Sequence, residues 1–171
     1  VAQKNRTPRF YFDLMRELKA QRDEHTTAWT PAVSLVFGLN RTLELLHAES
    51  LPQVFARHRL MAEATRAAAP ALGLKLLSRD SPAPGVTGIL MPEGLDSGKL
   101  VRLMRDELGV GVQGGQDQMK GKLVRIGHMG YLAPFDMLTA IGALEIGLAR
   151  LGYRFEIGMG VAAVQQRLAQ G

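Results

Sequence analysis

Residues 109–131, GVGVQGGQDQMKGKLVRIGHMGY, set three glycines in a G-x-G-x-x-G spacing (Gly109, Gly111, Gly114) ahead of an arginine, Arg125, and a histidine, His128. Such a spacing cradles a dinucleotide only when a strand feeds the first glycine and a helix opens after the third, because the pyrophosphate sits on the helix N-terminus. Here the order is reversed. A helical pattern runs into Gly109, a natural helix terminator, and Gly114 leads into a polar turn and a strand. The glycines therefore read as turn residues, and the candidate chemistry passes to Arg125. In K-L-V-R-I-G-H, strand alternation puts Val124 and Ile126 on one face and Leu123, Arg125 and Gly127 on the other. A guanidinium in that setting wants a carboxylate. If an Asp or Glu of the chain supplies it, the arginine is structural; if a ligand supplies it, the arginine is a bidentate anion clamp. Spacing leaves both readings open.

Other reactive groups are few. The chain has no cysteine, which excludes disulfides, thiolate nucleophiles and Cys-ligated metals within it. His128 stands far in sequence from His25, His47 and His58, with no metal-like spacing, and reads as a histidine that supports a neighbouring group or lies on the surface. The Thr-rich segment TTAWTP holds the single tryptophan, Trp29, and two hydroxyls, Thr27 and Thr30, that could meet a phosphate; Thr30 serves equally well as a helix N-cap before Pro31.

These groups sit in a chain of 171 residues, 46% hydrophobic and 22% charged, which is the composition of a globular domain with a core of its own. No apolar run approaches the roughly 20 residues needed to span a bilayer, and VAQKNRTPRFYF has no signal-peptide core, so a cytoplasmic location is expected. The net charge is +5, yet the basic residues are interleaved with acidic ones, as in RELKAQRDE, and no aromatic-lined basic stripe is present. Nucleic acid is not an expected partner. An anionic small ligand or an acidic surface explains the sign as easily.

The elements that must position Arg125 follow from periodicity. One short amphipathic helical pattern (Phe12, Met15, Leu18) precedes a polar loop; a helix then opens at Thr30-Pro31 with Val33, Val36, Phe37, Leu39, Leu43 and Leu46 as its apolar set. A second long helix runs from near Ser50 to Gly73 with Val54, Phe55, Met61, Thr65, Ala68 and Leu72 on one face, and Pro70 falls in its last turn. LKLLS and GVTGILM read as strands, SGKLVRLMRDEL as a helix, VGV and KLVRIGH as two more strands, and residues 134–151 as a helix with Phe135, Leu138, Ile141, Leu144 and Leu148 in register. Neighbouring strands joined by short turns predict an α+β fold, an antiparallel or mixed sheet of about four strands with helices packed on it. Residues 154–171, rich in Gly and Ala, read as a weakly helical tail.

The set RTPRFYFDL, TPAVSLVFGL, LHAESLPQVFARHRLMAEATRAA, GGQDQMKGKLVRIGHMGY and FDMLTAIGALEIGLARLGY, in this order over nearly the whole chain, resembles the C-terminal portion of class V aminotransferases. The alanine–glyoxylate and serine–glyoxylate branches are the nearest look-alikes, with a bacterial branch labelled as a small subunit of soluble hydrogenase. The resemblance implies a fold-type I pyridoxal-phosphate enzyme, homodimeric and about twice this length. In that family a larger N-terminal domain holds the aldimine-forming lysine, and none of Lys4, Lys19, Lys75, Lys99, Lys120 and Lys122 stands in the corresponding motif, so the chain alone is expected to be inactive. The implied organisation is residues 1–30 as the end of the large domain and an interface loop, 31–153 as the small domain, and 154–171 as a tail. By position, Arg125 matches the arginine that grips the substrate α-carboxylate, Thr27 and Thr30 match contacts to the partner's cofactor phosphate, and Gly114 and Gly115 match a turn beside the substrate entrance. The implied activity moves an amino group from alanine or serine to a 2-oxo acid such as glyoxylate. The alternative is a non-catalytic interaction subunit with Arg125 in an ordinary salt bridge.

Overall fold

In a computed structural model that describes Lys4 and residues 7–171, the alternating runs around Ile89 and Val124 become the central strands of a four-stranded, fully antiparallel sheet. Arg6, the first residue of RTPRFYFDL, lies outside the described residues, as do residues 1–3 and Asn5. Two compact units divide the chain, residues 1–49 and 50–171.

The larger unit contains the sheet. Its strands are β1 (Lys75–Leu76), β2 (Val86–Leu90), β3 (Gln113–Gly114) and β4 (Leu123–Gly127), in spatial order β1-β2-β4-β3. The third strand falls on Gln113 and Gly114 rather than on the VGV run; Val112 goes into the core as a loop residue. Ile89, Val124 and Ile126 face the helices and are buried, as β-branched residues on the inner side of a pleat should be.

Four helices of this unit are α3 (Leu51–Ala71), α4 (Ser97–Asp106), α5 (Pro134–Arg150) and α6 (Met159–Ala169), numbered after α1 (Leu14–Asp23) and α2 (Val33–Glu49) of the smaller unit. Pro52 lies in the first turn of α3, where its missing N–H costs nothing. The helix keeps Pro70 in its last turn and closes in a Schellman motif: Gly73, at φ 71°, donates its N–H to the Pro70 carbonyl and Leu74 donates to Ala69. Asp96 caps α4 through its carboxylate, which accepts from the Gly98 N–H at 2.8 Å, and Gly109 follows that helix at φ 68°, in the terminator role expected of it. Met61, Leu72, Leu100, Met104, Ile141, Leu144 and Leu148 fill the core, about 2–5 kcal/mol each if cut back to alanine. Phe55 of α3 and Phe135 of α5, counted among the inward apolar sets, are 61% and 74% exposed instead.

The tail is not weakly helical. Residues 159–169 form α6, which packs on α3 and α5 and buries Val164. Its start is held from α5 by Glu145, a buried carboxylate that accepts from the backbone N–H groups of Gly158 (2.6 Å) and Val161 (2.9 Å). An anion on the free N–H groups of a helix start satisfies them and complements the helix dipole. That contact joins residues 13 and 16 apart, beyond the reach of local periodicity.

In the smaller unit, Asp13 caps α1 by accepting from the Met15 N–H at 3.0 Å. The second helix starts later than expected: the Val36 N–H bonds to the Ala32 carbonyl, so Ala32 occupies the N-cap and Thr30 does not cap it. No residue of α2 is buried, and Val33, Leu35, Val36, Phe37, Leu39 and Leu43 are all exposed. Ahead of it, Trp29 lies 4.7 Å from the ring centres of both Phe10 and Tyr11, with the Arg16 guanidinium 4.1 Å from its own centre.

Candidate functional site

Arg125 sits on β4, the strand flanked on both sides, with Gly88 opposite it on β2 and Gln113 opposite it on β3. Alternation places it as expected, on the face away from the core that Val124 and Ile126 fill. Its Nε donates to the Gly114 carbonyl at 2.9 Å, which fixes the plane of the guanidinium. Among the described residues no carboxylate pairs with it. Within the described residues the salt-bridge reading of Arg125 finds no partner, and its two terminal nitrogens are open to a carboxylate.

A cleft of ≈ 130 Å³ opens beside this arginine, with Leu77, Gly88 and Arg66 among its walls. Gly88 keeps the lane open: a Cβ there would lie 3.2 Å from Leu77 and 3.3 Å from Leu123, tighter than ordinary packing. The cleft is mostly apolar with two guanidiniums, an arrangement suited to a small carboxylate.

Gly114 and Gly115 differ in what they do. Gly114 supplies the carbonyl that orients Arg125. A Cβ on Gly115 would come within 2.0 Å of the Met119 carbonyl oxygen, so only glycine lets β3 run directly into the one-turn helix over Asp117–Met119. Its N–H donates to the Leu123 carbonyl at 2.9 Å, and the turn is thereby locked to β4 just before Arg125.

His128 is not on the surface. It is fully buried, its Nε2 hydrogen-bonded to the Thr87 hydroxyl at 2.9 Å, its backbone N–H donating to the Gly85 carbonyl at 3.1 Å. Burial, reinforced by the positive charge of Arg66, pushes its pKa down to about 4, so the imidazole is neutral near pH 7. It packs the end of β4 against β2 and has no route to solvent.

In the smaller unit, Thr27 lines a shallow hollow with Gln21, His25, Thr26 and Pro31, whereas Thr30 does not. The Thr27 hydroxyl donates to the Trp29 carbonyl at 2.5 Å, so to donate to a phosphate it must leave that partner. Hydroxyl and amide donors fit the edge of a phosphate group; the hollow brings no lysine or arginine to neutralise one. Sequence reasoning missed Arg66, which reads as an ordinary charged residue of α3 and joins Arg125 only through the fold.

No protein-family profile matches the chain. Over 164 residues it is 43% identical to the soluble hydrogenase small subunit of Synechococcus sp. (strain PCC 6716), covering 95% of this chain and 42% of that protein. Over 168 residues it is 35% identical to the serine–glyoxylate aminotransferase of Methylorubrum extorquens, covering 97% of this chain and 42% of the relative. Among solved structures, the pyridoxamine–pyruvate aminotransferase of Mesorhizobium loti superposes with a TM-score of 0.90 at 31% identity, over 98% of this chain and 44% of the other. The chain thus spans about two-fifths of the length of the curated relatives it matches. In sequence and in fold it is similar to the C-terminal portion of class V aminotransferases.

Proposed function

We propose that the chain is the C-terminal part of a pyridoxal-phosphate-dependent aminotransferase that moves an amino group from a small amino acid, alanine or serine, to a 2-oxo acid such as glyoxylate. The observation that carries this reading is Arg125, a guanidinium on a flanked strand, oriented by the Gly114 carbonyl and without a carboxylate partner among the described residues. A planar fork on a rigid strand would bind the substrate α-carboxylate through two parallel hydrogen bonds and orient the bonds at the adjacent carbon. Gly114 and Gly115 hold the turn beside that position. Pyridoxal phosphate, when bound, supplies the electron sink for the transfer. Thr27 and Thr30 are the chain's proposed contacts to the phosphate of the partner protomer's cofactor. The apolar side chains exposed on α2 suit a surface covered in the assembled enzyme, by its N-terminal half or a companion chain and by a homodimer partner. No described helix is long and apolar enough to cross a membrane, and a cytoplasmic enzyme fits that.

A second reading has one specific observation behind it, the name of the Synechococcus relative: a non-catalytic interaction subunit. The two separate in one assay. Glyoxylate-dependent release of pyruvate from alanine, or of hydroxypyruvate from serine, by the assembled protein supports the transferase; no amino transfer with any small amino acid and 2-oxo acid, in a protein that binds the cofactor, supports the subunit.

A further inference from the structure

We propose that the cleft between α3 and residues 82–85 binds a small organic anion with an apolar body, its charge held by Arg59 and Arg66 with His58 beside them. Phe55, Arg59, Ala62 and Arg66 recur at spacings of three and four and share one face of α3. Pro82 and Pro84 stand opposite, and the cleft's volume of ≈ 580 Å³ falls within the range of small-molecule sites. Apolar wall and cationic wall thus meet across one cleft.

Its charge is uncompensated. The one acidic lining residue, Glu63, is engaged by Arg167 of α6, whose Nε donates to its Oε2 at 3.0 Å. Among the described residues neither Arg59 nor Arg66 has a carboxylate partner. The field of Arg66 is already felt nearby, since it adds to burial in keeping His128 neutral.

The cleft is also preformed. Arg66 Nη2 donates to the Ala83 carbonyl at 2.7 Å, tying the loop to the helix, and the prolines on either side of Ala83 fix the backbone of that wall. Arg66 Nε is buried with no hydrogen-bond partner. Holding a guanidinium in place before binding lowers the ordering cost that a flexible surface cation would carry.

Calorimetric titration of the purified protein with phenyl phosphate, inorganic phosphate and phenol tests this. One equivalent of phenyl phosphate should bind, at least ~10-fold more tightly than either half-ligand, because the charge and the apolar wall must act together. Arg59→Glu, at an exposed position, should weaken it by a further ~10-fold or more without lowering Tm, and Arg66→Lys should weaken it because a point charge cannot hold Ala83 and the anion together. Arg125→Lys should leave it intact. No saturable binding, equal affinity for phosphate and phenyl phosphate, an Arg59→Glu protein with unchanged affinity, or a loss that follows Arg125→Lys would each overturn the assignment.

Discussion

Residues 1–49 and residues 50–171 are built from similar amphipathic helices and differ in where the apolar side chains go. In the larger unit they converge: Leu100, Met104, Ile141, Leu144 and Leu148 are all fully buried between sheet and helices. In the smaller unit Leu35 and Phe37 are 73% and 72% exposed, and α1 buries only Ala20. Periodicity specifies that a helix has an apolar face; it does not say which surface covers that face. The lesson is that a helix can be written clearly in sequence while its own unit buries none of its apolar face.

Substitutions can break this contrast. Leu144→Ala should lower the stability of the 171-residue chain by about 2–5 kcal/mol in denaturant unfolding, whereas Phe37→Ala should change it by less than about 0.5 kcal/mol. Equal effects would mean that α2 is packed as tightly as α5. Next in size, Gly115→Ala should cost about 3 kcal/mol, because the new methyl meets a backbone oxygen that cannot step aside as a side chain could. Its near-ultraviolet circular dichroism should change with it. Glu145→Ala should cost about 2 kcal/mol and release α6 selectively, seen as faster amide exchange at Gly158 and Val161 with β4 still protected.

The smallest effect is a pH slope. His128 titrates at about 4 when folded against 6.5 ordinarily, so between those values the unfolded chain takes up a proton that the folded one refuses. Its contribution to stability is complete above pH 6.5 and declines as the pH falls toward 4. His128→Gln should flatten that part of the Tm-against-pH curve, and an unchanged slope would mean that the imidazole is not held neutral by the fold.

Three of the four strands and most helix limits were legible because alternation, Pro52, Gly73 and Gly109 act locally; the third strand fell on Gln113–Gly114 and not on the VGV run. Arg125 was legible as an anomaly, a cation in an apolar strand; what it pairs with was not, since a missing partner is a property of three dimensions. Three features escaped for the same reason. The helix over 159–169 depends on Glu145 from another element, the burial of His128 depends on Thr87 across the sheet, and Arg66 reads as ordinary helix polarity until the fold brings it to the cleft beside Arg125. Phe55 and Phe135 misled in the opposite direction: they fit an apolar helical register and stand in solvent. A periodic pattern is a wider statement than a buried face.

Steady-state kinetics of the assembled protein carrying Arg125→Lys decide whether, as proposed, Arg125 grips a substrate carboxylate. A lysine keeps the charge and loses the fork, so KM for the amino acid and for the 2-oxo acid should both rise by roughly 10-fold or more while cofactor affinity stays the same. An unchanged KM for both substrates, in a protein that folds and holds its cofactor normally, would contradict it.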